Sequence, residues 1–310
     1  MSFRVTPQTL SRGVLEGLQA NLTRLQRTQE QLSSGRRLNR PSDSPVDTVN
    51  AMRVRAEKQQ TQQYTRNIDD GLARLGNADS ALTQAGSMID RVRELTLSGI
   101  NGAVGVDERS ALADEVDQLR QGLIQLGNTQ YGGKPLFAGT MDGTTVAFDQ
   151  DGVYVGNDGL VNRNVSADPG SGTVSVNAVG SDAFTTLLSS GRDAAGNPVA
   201  GILERISTAL RNPDTAAGSV ALSSEMGNLD TATGAMISVR GTIGARTNRL
   251  DDIQKLSQSR LDSLTTSLAN AESIDLPKTI IDMQIQQNAY QAALGATAKI
   301  IQPSLMDFLR

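Results

Sequence analysis

The sequence has no histidine, no cysteine and no tryptophan among its 310 residues. These absences exclude Ser-His and Cys-His nucleophiles, imidazole-bound zinc, thiolate metal sites and disulfides. Only carboxylate, Lys or Tyr chemistry is left. Rings are scarce as well: five Phe and four Tyr make 3% of the chain. Rings usually supply much of the buried area of a compact globule, so a single large core is not expected. Charge of one sign is not concentrated anywhere, because 29 basic and 33 acidic residues, net charge -4, are spread along the chain. That distribution points to neither nucleic acid nor an anionic membrane as partner. No run approaches the roughly 18 apolar residues of a membrane span, and Met1 to Pro7 lacks the continuous apolar stretch of a secretory signal. The missing cysteine fits a reducing cytosol, and fits equally a protein exported by another route.

What the chain does have is helical seams. Leu15, Leu18, Leu22, Leu25 and Leu32 recur at steps of three and four, with Gln29 in register. This is a narrow coiled-coil pattern, although an ordinary amphipathic helix on a globular core has similar spacing. Gly35 and the run Asn39 to Pro45 end it near residue 40. From about residue 45 to 98 there is no interrupting Pro, and a seam runs through Leu72, Leu75, Asp79, Leu82, Gly86 and Ile89. At about 1.5 Å per residue that helix is on the order of 80 Å long. The Gly-rich turn Gly99 to Gly105 follows, and a third helix with Leu112, Val116, Leu119, Leu123 and Leu126 on one stripe is expected to lie back antiparallel on the second.

Composition changes at Tyr131. Short β-rich runs, Thr144 to Phe148, Val153 to Val155, Leu160 to Val165 and Thr173 to Val179, are separated by Asp-Gly and Pro-Gly turn signals. Five of the nine rings, Tyr131, Phe137, Phe148, Tyr154 and Phe184, fall in this neighbourhood. A long helical register then runs from Leu222 through Arg240, Ile243 and Leu250 to Leu261, Leu264 and Leu268. Pro277 breaks it, and a last seam follows: Ile280, Met283, Gln287, Tyr290, Leu294 and Ile301.

The expected architecture is mainly α with an inserted small β domain: an elongated rod of long antiparallel helices with coiled-coil terminal arms. Residues 1–42 form an N-terminal arm, 43–130 and 201–274 the two halves of the helical rod, 131–200 a β-rich outer domain, and 275–310 a C-terminal arm. Leu72, Leu75, Leu82, Ile89, Ile243, Leu250, Leu261 and Leu264 are the expected rod-packing residues. Leu15, Leu18, Leu22, Leu25, Leu32, Ile280, Met283, Tyr290, Leu294 and Ile301 are the expected assembly interface of the arms. Both arms are thin and rich in Gln, Ser and Thr, so they bury too little alone to offset their ordering entropy. They are expected to finish folding against neighbouring subunits, the alternative being a self-contained hairpin.

Several strings resemble the bacterial flagellin family. Leu32-Ser33-Ser34-Gly35, Pro41 to Pro45, Arg66 to Gly71 and Arg91 to Leu95 resemble its N-terminal half, and Arg240 to Leu250 resembles its C-terminal signature. The likeness covers roughly residues 8–140 and 200–310. Within the family, Pro41 to Pro45, Tyr131 to Thr140 and the end Ser304 to Arg310 lean toward the hook-associated proteins that join hook to filament. That resemblance implies export in unfolded form through the flagellar type III apparatus, hence an extracellular flagellar location without a signal peptide. It also implies terminal arms stacked as coiled coils in a tube and an insert facing outward. The implied partners are further copies of the chain in a ring, another hook-associated protein on the hook side, flagellin on the filament side, and a cytoplasmic export chaperone. The chaperone's handle would be Ile280, Met283, Tyr290, Leu294 and Ile301.

Rival chemistry is thin. Asp149-Gln150-Asp151-Gly152 begins like a calcium loop but lacks the later ligands, so a hairpin turn is the expected reading. Gly132-Gly133-Lys134 lacks the flanking residues of a phosphate loop and reads as a turn into a strand. No catalytic residue, metal site or cofactor is expected. Two alternatives to a junction subunit stay open: a minor flagellin that builds the filament itself, and an intracellular helical scaffold rod.

Overall fold

The computed structural model describes residues 7–101, 104–141, 146–168 and 172–308, with side chains between 12 and 298 of these. Among the described residues seven helices predominate: α1 Pro7–Ser34, α2 Pro45–Ile100, α3 Val106–Gly127, α4 Gly180–Leu188, α5 Ile202–Leu210, α6 Thr215–Glu272 and α7 Leu276–Phe308. Six short strands lie between α3 and α5: β1 Gln130–Tyr131, β2 Lys134–Pro135, β3 Asn162–Asn164, β4 Thr173–Ser175, β5 Ser189–Arg192 and β6 Pro198–Ala200.

Local chemistry sets the helix ends. Pro7 and Pro45 occupy first helical positions, where a missing N–H costs nothing. Gly35 follows α1 with φ +67°, the left-handed conformation in which a glycine stops a helix cheaply. The Glu108 carboxylate accepts the Gly105 N–H at 2.7 Å ahead of α3, and Asp214 Oδ1 accepts the Ala216 and Ala217 N–H groups at the start of α6. The break before α7 falls at Ser273–Asp275 rather than at Pro277, which sits inside the first turn of α7. Pro277 still accounts for it, since a proline has no N–H for the carbonyl four residues back, that of Ser273, and its ring crowds that carbonyl; an isolated antiparallel bridge between Arg36 and Ser273 occupies the break.

The chain divides into two compact units, Met1–Gln60 with Arg260–Arg310, and Thr61–Ser259. In the first, α1 packs along α7. In the second, α2 and α6 run antiparallel: Asp69 accepts from Gln254 at 2.7 Å, Asp79 from Arg240 at 3.0 Å, and Arg93 pairs with Asp230. The α3 helix answers α2 through Arg91 and Glu115, 2.7 Å apart.

The insert carries the small antiparallel strand pairs expected of it, with shorter strands than the β-rich runs and with a helix added. Its strands form three separate two-stranded antiparallel ladders, β1 with β2, β3 with β4 and β5 with β6, and the helix α4 lies among them. The run from Leu160 shortens to β3 and the run from Thr173 to β4, while Phe148 and Tyr154 meet in a single bridge. Thr144 lies outside the described residues. Rings rather than strands organise this segment. Phe184 meets Phe137 edge-on at 5.3 Å between centroids and Phe148 at 5.7 Å, and Phe148 meets Tyr154 at 5.3 Å. These rings join Ile68, Leu75, Leu82, Ile243 and Leu250 in one buried cluster, so the insert shares its core with the helices. Gly132 and Gly133, both with positive φ, turn β1 into β2.

Candidate assembly interface

The two units differ in how they treat their apolar seams. In the second, Leu75, Leu82, Ile89, Ile243 and Leu250 are buried, and Leu72 packs half-buried against them. In the first, Leu264 is buried and Leu261 half-buried. On α1, Leu18, Leu25 and Leu32 are only half-buried, Leu22 is exposed and Leu15 keeps 55% of its surface open. On α7, Ile280, Met283 and Tyr290 are half-buried and Leu294 is exposed; the Ile301 side chain lies outside the described residues. The buried contact between the two arms is polar: Thr28 Oγ1 lies 2.9 Å from Gln286 Oε1 and 3.0 Å from the Arg24 carbonyl.

A second set of apolar side chains escaped the sequence reading. Ile281 and Ile285 on α7 and Val46, Val49 and Met52 on the first turns of α2 are exposed, Val46 by 72%. Their spacing of three and four was the available signal, but these positions sit beside the main seam rather than on it. Together with Leu15, Leu22 and Leu294 they leave the first unit with apolar helix surface on several sides.

The flagellin-like strings have identifiable structural work. Within Arg66 to Gly71, Asn67 donates to the Asn164 carbonyl at 2.7 Å and Asp70 pairs with Arg163 at 2.9 Å, tying α2 to β3. Within Arg240 to Leu250, Arg246 donates to the Asn177 carbonyl at 2.6 Å, tying α6 to the insert, and desolvation lowers its pKa. Within Pro41 to Pro45, Asp43 Oδ2 accepts the Asn39 and Arg40 N–H groups at 3.1 and 2.9 Å.

The Asp149 turn is closed by its own side chain. Asp149 Oδ1 accepts the Asp151 and Val153 N–H groups at 3.0 and 2.8 Å, and Oδ2 meets Arg192 at 2.6 Å. Among the described residues no group of three acidic side chains is placed to hold a metal ion, and no helix is long and apolar enough to cross a membrane. Tyr154, whose hydroxyl donates to the Asn157 carbonyl at 2.7 Å, has its pKa raised to about 12 by burial and by the nearby carboxylates of Asp158 and Asp182.

Residues 7–142 match the bacterial flagellin N-terminal helical region. Long helices with a small strand-bearing insert and half-open apolar seams on α1 and α7 accompany that match, and the proteins the chain resembles are structural subunits of the bacterial flagellum. The particular likeness is to flagellar hook-associated protein 3: that of Escherichia coli is 25% identical over 306 residues, covering 95% of this chain and 96% of its own. A flagellin of Bacillus subtilis is 27% identical over 308 residues, covering 94% and 95%. The crystal structure of flagellar hook-associated protein 3 from Legionella pneumophila shares the fold, with a TM-score of 0.59 at 16% identity over 70% of this chain and 97% of that one. These relatives are structural flagellar proteins, not enzymes.

Proposed function

We propose that this chain joins hook to filament in the bacterial flagellum. The observation that carries the reading is the uneven burial of its seams: Leu75, Leu82, Ile89, Ile243 and Leu250 are buried in the second unit, whereas no seam leucine of α1 and no seam residue of α7 up to Leu294 is more than half-buried. Apolar surface stabilises at about 25 cal/mol per Å² when it leaves water, so a stripe of half-open leucines along two helices favours a neighbouring helix strongly. Copies of the chain form a ring in the tube, another hook-associated protein sits on the hook side, and flagellin on the filament side. Residues 1–42 and 275–310 act as arms, 43–130 and 201–274 as the helical rod, and 131–200 as the outer domain. Leu15, Leu18, Leu22, Leu25 and Leu32 meet neighbouring arms, as do Ile280, Met283, Tyr290, Leu294 and Ile301. The last five also serve as the handle for a cytoplasmic chaperone before export, which would suppress premature association.

The test is complementation in a strain that lacks the gene. Chains without residues 1–40 or 278–310 should reach the cell exterior poorly or fail to anchor filaments to hooks, whereas the full chain restores motility. A truncated chain that still supports anchored filaments would remove the role assigned to the arms. The Bacillus subtilis flagellin match, of similar length, favours a second reading in which the chain builds the filament itself. Purified protein that elongates filament seeds unaided would decide for it.

A further inference from the structure

The ten-residue connection from α1 to α2, Gly35 to Ser44, has the Pro, Ser, Asn and Gly content of a loose linker. In the structure it is fastened on every side. Its first residues form a short antiparallel bridge with the break between α6 and α7: Arg36 opposes Ser273, the Arg37 N–H donates to the Glu272 carbonyl at 2.6 Å, and the Ile274 N–H to the Gly35 carbonyl at 3.4 Å. The two places where the chain leaves its long helices are therefore joined.

One residue reaches three of the four helices that meet there. Arg37 Nη2 donates to Asp47 Oδ2 on the first turn of α2 at 2.8 Å and to the Ala271 carbonyl on the last turn of α6 at 2.9 Å. Gln31 Nε2 of α1 donates to the Arg37 carbonyl at 3.0 Å. The surrounding ion pairs span less: Arg40 with Glu30 at 2.6 Å, Arg27 with Asp43 at 3.6 Å, and Arg55 with Glu272 at 2.7 Å. Hydrogen bonds from Arg37 and Ser44 hold the Asp47 carboxyl below its usual range.

We propose that Arg37 is the positioning residue of this joint, coupling the two chain breaks so that α1 and α7 keep one setting on the stem formed by residues 45–60 and 260–272. The proposal concerns a single chain and does not depend on the hook-to-filament reading. Without the Arg37 side chain the α1 and α7 helices still pair with each other, but the breaks are held by the backbone bridge and its flanking ion pairs alone, and the pair swings more widely. Lysine restores part of the function, since an ammonium can meet Asp47 or the Ala271 carbonyl from a similar reach.

The chain has no native cysteine, so Ala20→Cys on α1 and Gln59→Cys on α2, both exposed, give unique spin-label sites in the full chain. Pulsed distance measurements should give a narrow distribution for the parent and a broad one for Arg37→Ala, with Arg37→Lys between them. Amide exchange at position 37 and Ile274 should rise about two- to fivefold in Arg37→Ala, the scale of one partly exposed charge-assisted contact. Exchange between Leu75 and Ile89 should stay unchanged, which reports intact folding. Asp47→Ala removes the same contact from its far side and should broaden the distribution too. Arg53→Ala, on α2 with no side-chain partner among the described residues, should leave it narrow. A parent distribution already as broad as the variant's, unchanged distances in Arg37→Ala or Asp47→Ala, or equal broadening by Arg53→Ala would overturn the proposal.

Discussion

Arg240 on α6 donates its Nε–H to Asp79 Oδ1 on α2 at 3.0 Å. Each residue stands where its own apolar seam skips a step: Asp79 between Leu75 and Leu82, Arg240 between Met236 and Ile243. The two polar steps meet. Their side chains remain 39% and 45% exposed, so the pair sits at the edge of the seam, and water screens most of its attraction. Its value is in register, since sliding α6 along α2 by one turn would set an ion against a buried leucine.

Arg240→Ala should therefore cost less than about 1 kcal/mol, and a double-mutant cycle with Asp79→Asn should give a coupling of the same small size. Leu82→Ala, at a fully buried neighbouring step, should cost about 2–5 kcal/mol through lost burial and the cavity left behind. Denaturant midpoints of the parent, the three variants of the cycle and Leu82→Ala measure both. An Arg240→Ala penalty equal to that of Leu82→Ala would mean the pair is far better desolvated than its exposure indicates.

The helices were legible because periodic leucines, Pro and Gly mark them, and their ends lie within a few residues of those signals. Whether a polar residue on a seam faces a partner or water was not legible. Gln29 is exposed, Gln287 half-buried, and Thr233 returns its hydroxyl to the Leu229 carbonyl of its own helix at 2.7 Å. The insert was the least legible segment. Its β-rich runs predict strands by propensity, but ring packing and side-chain closures, such as Asn128 exchanging two 2.8 Å hydrogen bonds with the Phe148 backbone, replace most of the ladder. The Arg37 joint gave no signal at all, because its bonds depend on two breaks more than 230 residues apart meeting in space.

Arg109 is a case where the seam itself held a clue that residue type concealed. It precedes Leu112 and Val116 on the same face of α3 and is 1% exposed. Its guanidinium donates to the Ala209 carbonyl at 3.0 Å and the Thr215 carbonyl at 3.1 Å, bracketing the turn from α5 to α6. Hydrogen bonds from a buried charged group contribute about 1.5–3 kcal/mol each. Arg109→Ala, which also opens a cavity, should lower stability by about 3 kcal/mol or more, with faster amide exchange centred on residues 209–218. Arg109→Met, which keeps the volume and loses the donors, should recover part of the loss.

Tyr154 ties function-neutral chemistry to a measurable pH response. Its neutral hydroxyl donates to the Asn157 carbonyl, with the Phe137 carbonyl 3.1 Å away, and burial raises its pKa to about 12 from an ordinary value of 10.0. A raised pKa on an acid means that the folded state holds the proton longer than the unfolded one. The contribution is complete below about pH 10 and is lost as pH rises through about 12. Tyrosinate absorbance should show one of the four tyrosines titrating late, and Tyr154→Phe should remove that step. The variant should also flatten the fall in stability above pH 10. A late step that survives the substitution would assign it to another tyrosine.

The arms permit a separation that a core position does not. Leu22 on α1 is exposed in the single chain, so Leu22→Ala removes little buried surface and should change the monomer's stability by less than about 1 kcal/mol. If neighbouring subunits cover the stripe, the same change should weaken assembly more than tenfold, because each methylene newly buried in the contact contributes about 0.8 kcal/mol. Leu75→Ala has the opposite profile. It sits at zero exposure in the second unit and should lower the melting temperature while leaving assembly of the folded fraction intact at lower temperature. Thermal melts paired with incorporation into hook-filament preparations distinguish the two. Leu22→Ala protein that incorporates as well as the parent would remove that side chain from the interface and shift attention to Ile281 and Ile285, the exposed stripe on α7.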